Sequence, residues 1–264
     1  MMQAVILAGG RGTRLSALYA DRPKALVPLA GRPFLEWQLE WLTRGGITRV
    51  HIAAGYMADR LLDWLREHGE ELQSGVQCSV FSVQELFTIH HSPCTISLSR
   101  EPAPLGTGGG LKYVEPWIAT DPCLVLNGDS LLPRLDFQSL EKAWHAVSRD
   151  WKSPPAMLAV TRIEEAGRYG TVEFDEARRV TAFREKARRE SGWVNGGVYV
   201  VPRRVLDSLE PGRTLSLETD VFPSLAEQGL LAAFAAPAPL LDMGTPEGLA
   251  VLESFLATGA PFSI

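Results

Sequence analysis

A short apolar run, Val5-Ile6-Leu7, opens directly into Ala8-Gly9-Gly10-Arg11-Gly12-Thr13-Arg14-Leu15. A buried strand emptying into a loop with three glycines in four positions constrains the fold more than any other stretch of this chain. Such a loop turns sharply and brings its backbone N–H groups close to an anion. Arg14 adds a fork of donors suited to phosphate oxygens. Downstream, prolines on both sides of Lys24, at positions 23 and 28, stiffen the segment that presents its ammonium. The commoner glycine loops do not fit. A P-loop ends in Gly-Lys-Ser/Thr, whereas this loop has Gly12-Thr13-Arg14. A dinucleotide fingerprint starting at Gly10 needs glycine where Leu15 stands. The plain alternative is a ligand-free turn, and Arg14 with Lys24 argues against it.

The pattern that follows alternates strand and helix. Ala4–Leu7 and Val50–Ala54 read as strands, with a further strand in the Val76–Leu98 region. Phe34–Thr43 carries apolar residues at helical spacing and stops at Gly45-Gly46. Ala58–His68 sets Leu61, Leu62 and Leu65 on one helical face, Gly109–Trp117 begins another helix, and Cys123–Leu126 is a buried strand. This predicts an α/β fold, a Rossmann-like, mostly parallel mixed sheet covered by helices on both faces. Ligands of such sheets sit beyond the carboxyl ends of the strands, where both the glycine loop and Asn127-Gly128-Asp129 fall.

After residue 130 the strands shorten: Ala156–Arg162, Gly170–Phe174, Val180–Glu185 and Gly197–Val201, with turn signals between them. They predict an antiparallel extension of the same sheet, followed by helices over Thr214–Gln228 and Pro246–Leu256. With no repeat or linker in view, the expectation is a single domain over residues 1–264, with a nucleotide half at 1–130 and a sugar half at 131–264.

Net charge of -5 argues against a nucleic-acid binder. Cys78, Cys94 and Cys123 form no C-x-x-C pair, so neither a disulfide framework nor a zinc site is expected. No apolar stretch reaches the ~18 residues of a membrane span, the N-terminus reads as a strand rather than a leader, and a cytoplasmic location is expected. Asp129 and Asp242, the latter in Leu241-Asp242-Met243-Gly244-Thr245-Pro246, are candidate ligands for a hard cation. An Asp closing a strand is more often a turn residue. The combination with a glycine loop, a lysine and an arginine makes a phosphoryl- or nucleotidyl-transfer set.

These motifs resemble the signature of the sugar-1-phosphate nucleotidyltransferases. Leu7–Leu15 and Pro23-Lys24 begin the resemblance. It continues through Pro104-Leu105-Gly106-Thr107-Gly108-Gly109, Asn127-Gly128-Asp129, Tyr169-Gly170, Glu185-Lys186, Asn195-Gly196-Gly197-Val198-Tyr199 and Asp242–Pro246. Within the family, Arg168–Glu173, Glu185-Lys186 and Val194–Tyr199 are most similar to the D-glycero-D-manno-heptose 1-phosphate guanylyltransferases. Mannose-1-phosphate guanylyl-, glucose-1-phosphate thymidylyl- and muramate-1-phosphate uridylyltransferases are close.

The resemblance implies attack of a sugar-1-phosphate oxygen on the α-phosphorus of a nucleoside triphosphate, GTP favoured, with pyrophosphate leaving. It gives the nucleotide to Leu7, Ala8, Gly9, Gly10, Gly12, Thr13, Gly106, Thr107 and Gly108. It gives the sugar phosphate to Gly170, Glu185, Lys186, Asn195 and Gly196. Arg14, Lys24 and Asp129 carry the chemistry, and Asp129 with Asp242 holds Mg²⁺. Both reactants are anions, so the task is charge neutralisation and alignment, and no histidine need act as a base. Three rivals stay open: a uridylyl- or thymidylyltransferase, a transferase acting on a non-sugar phosphate, and a non-catalytic binding protein. The partners implied are the two substrates, with neither nucleic acid nor membrane. Residues 73–93 are apolar, strand-prone material beyond the family pattern, expected to form an arm that packs in a homo-oligomer.

Overall fold

The run ahead of the glycine loop forms β1 (Ala4–Ala8), and its neighbours on both sides are parallel to it. The computed structural model describes residues 1–12, 19–68, 86–91, 94–164, 171–184, 191–258 and 262. After β1 come two two-residue strands, β2 (Pro28–Leu29) and β3 (Arg32–Pro33), then α1 (Phe34–Arg44), β4 (Arg49–Ala54) and α2 (Ala58–His68). Next are β5 (Leu86–His91), β6 (Cys94–Arg100), α3 (Gly106–Tyr113), β7 (Cys123–Asn127), β8 (Ser130–Leu131) and α4 (Phe137–Asp150). The second half holds β9 (Ala156–Ile163), β10 (Thr171–Phe174), β11 (Val180–Arg184), β12 (Gly192–Val201), α5 (Arg203–Asp207), α6 (Phe222–Glu227), β13 (Leu231–Ala235), β14 (Leu241–Asp242) and α7 (Pro246–Leu256).

The main sheet runs β11-β10-β12-β7-β1-β4-β6-β5, with β9 on β12 and β13 on β9. Pairs β7–β1, β1–β4 and β4–β6 are parallel, and β12 crosses antiparallel to both β7 and β9. The predicted parallel body with an antiparallel extension is what forms. Alternation along each strand divides the core. Ala4, Ile6, Leu124 and Leu126 face α1, α2, α4 and α7, while Val5, Cys123 and Val125 face α3, α5 and α6. Cys123 is a core residue whose thiol donates to the Val201 carbonyl at 3.4 Å, and burial pushes its pKa up to about 12.

Three expectations need correction. The helix expected from Gly109 starts at Gly106, with a separate 3₁₀ turn over Glu115–Trp117. The helix expected over Thr214–Gln228 is a π-helical turn, Leu217–Val221, leading into the short α6, with Pro223 near the start of α6. Residues 214–216 are not helical, because the Leu215 backbone is engaged elsewhere: its N–H donates to the Leu105 carbonyl, and its carbonyl accepts from Gly108 at 2.8 Å. The strand expected from Gly197 begins five residues earlier, at Gly192. Of the 73–93 material, Leu86–Ile89 is part of β5, which pairs antiparallel with β6 and is the last strand on that side of the sheet among the described residues; Gly75–Phe81 lies outside the described residues.

Candidate active site

The carboxyl ends of β1 and β7 lie side by side, in register from Ala4↔Leu124 to Leu7↔Asn127. That pairing places the glycine loop against Asn127-Gly128-Asp129, and the Gly128 N–H donates to the Leu7 carbonyl at 3.0 Å. A side chain at Gly128 would collide with that carbonyl, its Cβ only 2.6 Å away, so this position must be glycine. The turn is tied down from α1 by the fully buried Gln38, whose amide donates to the Asn127 carbonyl at 3.0 Å.

Lys24 opens a 3₁₀ turn, Lys24–Leu26, anchored by the buried Ala25, Val27 and Leu29. Its stem runs along Gly12, which has φ +60° and lies 3.4 Å (as a Cβ position) from Lys24 Cδ. The ammonium donates to Asp129 Oδ2 at 2.6 Å across 105 residues of sequence. Lys24 and Asp129 therefore act as one unit. Asp242 is brought to the same place by β14, which pairs with β8 so that Asp242 faces Ser130, while the Met243 N–H donates to the Asp129 carbonyl at 3.0 Å. Asp242 Oδ1 accepts from the Gly244 N–H at 2.9 Å, which fixes the carboxylate's orientation.

Whether this pair suits a magnesium ion can be judged from its donors. Two carboxylates stand on adjoining backbone, and among the described residues no cluster of three or more acidic, histidine or cysteine ligands exists. Mg²⁺ uses one or two carboxylates and completes its shell with water and substrate phosphates, so the donor set fits.

The remaining predicted residues divide clearly. Leu7, Ala8 and Gly10 line a cavity of about 160 Å³ together with Lys24, Thr107 and Asp129. Of the loop glycines, Gly10 alone meets nothing among the described residues within 4 Å of where a side chain would stand. Gly9 instead accommodates protein: a Cβ there would lie 2.8 Å from Glu101 Oε1. Gly106 and Thr107 line an adjoining cavity of about 220 Å³, while Gly108 backs onto Leu215. Gly196 packs against Leu132 and the Ala159 carbonyl, which explains its missing side chain by strand packing. Asn195 Nδ2 donates to the Tyr199 hydroxyl at 2.9 Å, and Asn195 Oδ1 accepts from Gly197. Thr13, Arg14, Gly170, Glu185 and Lys186 lie outside the described residues.

Two acidic residues beyond those assigned a role stand in the same region. Glu218 accepts from Thr107 Oγ1 at 2.7 Å and from the buried Tyr199 hydroxyl at 3.2 Å. It thereby links the α3 segment to Tyr199, which also accepts from Asn127 and Asn195. Glu101 directly follows β6, is 9% exposed, and has its pKa raised by burial to about 7. The signal for Glu218 was its place in Ser216-Leu217-Glu218, where Ser216 caps the turn; its partners lie too far away in sequence to be read.

The profile of the nucleotidyl transferase family matches residues 3–259. The chain belongs to that family. Other nucleotidyl transferases resemble it over nearly its full length. A mannose-1-phosphate guanylyltransferase of Mycobacterium tuberculosis is 32% identical over 93% of this chain, and mannose-1-phosphate guanyltransferase beta-B of Xenopus laevis is 31% identical over 93%. The chain spans 62% of the length of these curated relatives. Among solved structures, HddC from Yersinia pseudotuberculosis superposes with a TM-score of 0.78 at 27% identity, covering 97% of this chain and 100% of that one. HddC has also been solved complexed with GMP-PN. A putative glucose-1-phosphate thymidylyltransferase from Bacillus anthracis, 20% identical with a TM-score of 0.75, shares the fold.

Proposed function

We propose that this nucleotidyl transferase moves a guanylyl group from GTP to a sugar 1-phosphate, a hexose or heptose, giving a GDP-sugar and pyrophosphate. The observation that carries the reading is one chain of cavities. The Lys24–Asp129 cavity shares Leu7, Gly10 and Thr107 with the next, which shares Gly9, Arg11, Glu101 and Pro104 with a third of about 510 Å³. A nucleotide laid along it puts its phosphates at the charged end and its base at the Glu101 end. The names of the guanylyltransferase relatives and the GMP-PN complex of HddC support guanine.

A phosphate oxygen of the sugar 1-phosphate forms the new bond to the α-phosphorus, and the bond from that phosphorus to the β-phosphate bridging oxygen breaks. The attacking oxygen is already ionised, so no general base is required. Lys24 places a positive charge where the two anions meet, and the open face of Gly10 lets the backbone approach the triphosphate. Asp129 and Asp242 would hold Mg²⁺, which supplies further neutralisation of phosphate charge when bound. Asn195, Glu185 and Lys186 are assigned to the sugar phosphate by resemblance. The cytoplasm, where nucleoside triphosphates are held, is the place for this reaction.

Pyrophosphate release over a grid of GTP, UTP and dTTP against mannose-, glucose- and heptose 1-phosphates tests the reading. GTP is expected to give the fastest turnover, with strict dependence on a divalent cation. Asp129→Asn and Asp242→Asn are each expected to lose ~10²–10³-fold in kcat with the fold retained. Faster product formation from UTP or dTTP, or near-normal turnover in either variant at saturating Mg²⁺, would overturn it.

A further inference from the structure

We infer that Glu218 is a positioning residue that acts through Tyr199 on the sugar 1-phosphate side of the site, holding the Asn195 and Asn127 amides in one orientation. The inference rests on nucleotidyl transfer to a sugar 1-phosphate, as proposed above, and is independent of which base and which sugar are used.

Glu218 stands in the π-helical turn Leu217–Val221, and three hydroxyls converge on its carboxylate. Thr107 and Ser216 donate to Oε2 at 2.7 and 2.9 Å, and Tyr199 donates to Oε1 at 3.2 Å. Each hydroxyl oxygen is already taken by an N–H. Thr107 Oγ1 accepts from the Leu217 N–H, and Ser216 Oγ accepts from the Glu218 and Thr219 N–H groups. The Tyr199 oxygen accepts from the Asn127 and Asn195 side-chain amides. All three hydroxyls therefore turn their protons to residue 218, which must accept on both arms of its fork. A carboxylate can do this and an amide cannot. Burial, and after it the Glu218 charge, push the Tyr199 phenol well above its ordinary pKa, which keeps it a donor.

This polarity is passed on to the two asparagines. Tyr199 is fully buried and its one proton goes to Glu218, so Asn127 and Asn195 must each turn Nδ2 towards it. Their oxygens are fixed as a result. Asn195 Oδ1 accepts from the Gly197 N–H at 2.9 Å, and Asn127 Oδ1 is left buried with no hydrogen-bond partner among the described residues. Asn127 lines the Lys24–Asp129 cavity, and Thr107, held by the same carboxylate, lines both that cavity and the next. One carboxylate thus ties α3 to the ends of β7 and β12.

Glu218→Gln separates the two arms. It keeps the shape but has one acceptor, which best meets the side with two donors, Thr107 and Ser216. Its Nε2 then faces Tyr199. The phenol must accept from it and turn its own proton towards the asparagine amides, which lose their acceptor. The nucleotide side stays held while the sugar side comes loose.

The test measures kcat and both KM values of the full chain, with whichever triphosphate and sugar 1-phosphate the wild type turns over fastest. Glu218→Gln is expected to raise the KM for the sugar 1-phosphate at least ~10-fold, the loss of hydrogen bonds ordered by a charged group, with the KM for the triphosphate little changed. Tyr199→Phe is expected to reproduce that shift. The double variant Glu218→Gln/Tyr199→Phe is expected to add nothing to it, because both changes act through one hydroxyl. Thr107→Val is expected to raise the triphosphate KM instead, and Thr107→Ser, which keeps the hydroxyl, to restore it. Equal rises in both KM values for Glu218→Gln, or multiplicative effects in the double variant, would overturn the role of Glu218. An unchanged sugar 1-phosphate KM in Tyr199→Phe would overturn it as well, whatever the folding of a variant at position 218. In each of these cases an active wild type leaves nucleotidyl transfer standing. A wild type that turns over no sugar 1-phosphate would overturn both.

Discussion

Lys24 and Asp129 were each visible in the sequence, one from flanking prolines and the other from a strand-ending Asn-Gly-Asp, yet their pairing was not. A 2.6 Å bond between residues 105 positions apart depends on β1 and β7 lying in parallel register. The contact has a kinetic consequence. Lys24→Met is expected to lower kcat more than it raises KM, because charge placed on a developing transition state acts mostly there. Residues in direct contact are not additive. The double variant Lys24→Met/Asp129→Asn is therefore expected to lose less than the product of the single losses, read from kcat on all four proteins. Strict multiplicativity would show that the two side chains act independently. Glu101 was visible ahead of the Pro104–Gly109 motif, but its burial was not. In sequence it follows Arg100 at a strand end, the usual profile of a solvated face, and only the glycines of two other segments reveal where its carboxylate stands.

Elements built from continuous apolar runs were legible, because a strand buried on both faces needs no partner to announce itself. β1, β4 and β7 formed within a residue of their expected bounds, and α2 and α7 matched theirs. α4 was missed even though Asp136 caps it, accepting from the Gln138 N–H at 2.9 Å, and Phe137, Leu140, Trp144 and Val147 make its buried stripe. α3 shows what local propensity leaves out. Five residues of Gly106–Tyr113 are Gly, Thr or Gly again in the first turns, a poor helix by composition. It forms because the 213–215 segment presses on it, taking the Gly108 and Gly109 N–H groups at the Leu215 carbonyl. Gly109→Ala, which raises helix propensity, would drive a Cβ into the Arg213 carbonyl and to 3.0 Å from Leu105 Cβ. Overpacking of this kind costs about 1–3 kcal/mol. Urea denaturation is expected to show the variant less stable, and a stabilised protein would show that the segment yields freely.

At the scale of the whole molecule, two buried groups set opposing responses to pH. His51 lies between Ser97 and Ser99, stacked on Trp117, and burial lowers its pKa from 6.5 to about 4. The unfolded chain takes up that proton first, so the stability it contributes is full above pH 6.5 and is lost as pH falls towards 4. Glu101 is raised from 4.5 to about 7, so its contribution is full below pH 4.5 and is lost as pH rises towards 7. Each is worth about 3 kcal/mol, and between pH 4.5 and 6.5 they oppose one another. Unfolding free energies measured across that window are expected to rise with pH in Glu101→Gln and to fall with pH in His51→Gln, relative to wild type. Parallel profiles for all three proteins would show that these groups titrate as they do in the unfolded chain.

The two halves of the chain, nucleotide and sugar, were expected to divide near residue 130, but β12 makes that line a poor place to cut. Residues Val198–Val201 of this strand bond to β7, and Tyr199 and Val200 bond at the same time to β9. One strand of the second half is thus the lateral seal of the first. A sugar-recognition cassette exchanged between relatives at residue 130 would bring a foreign β12 against the resident β7, and both the seal and the Tyr199 hydroxyl that meets Asn127 would have to match. Shuffling specificity in this fold is therefore a matter of grafting loops onto a retained β12, since swapping halves replaces the seam along with the cloth.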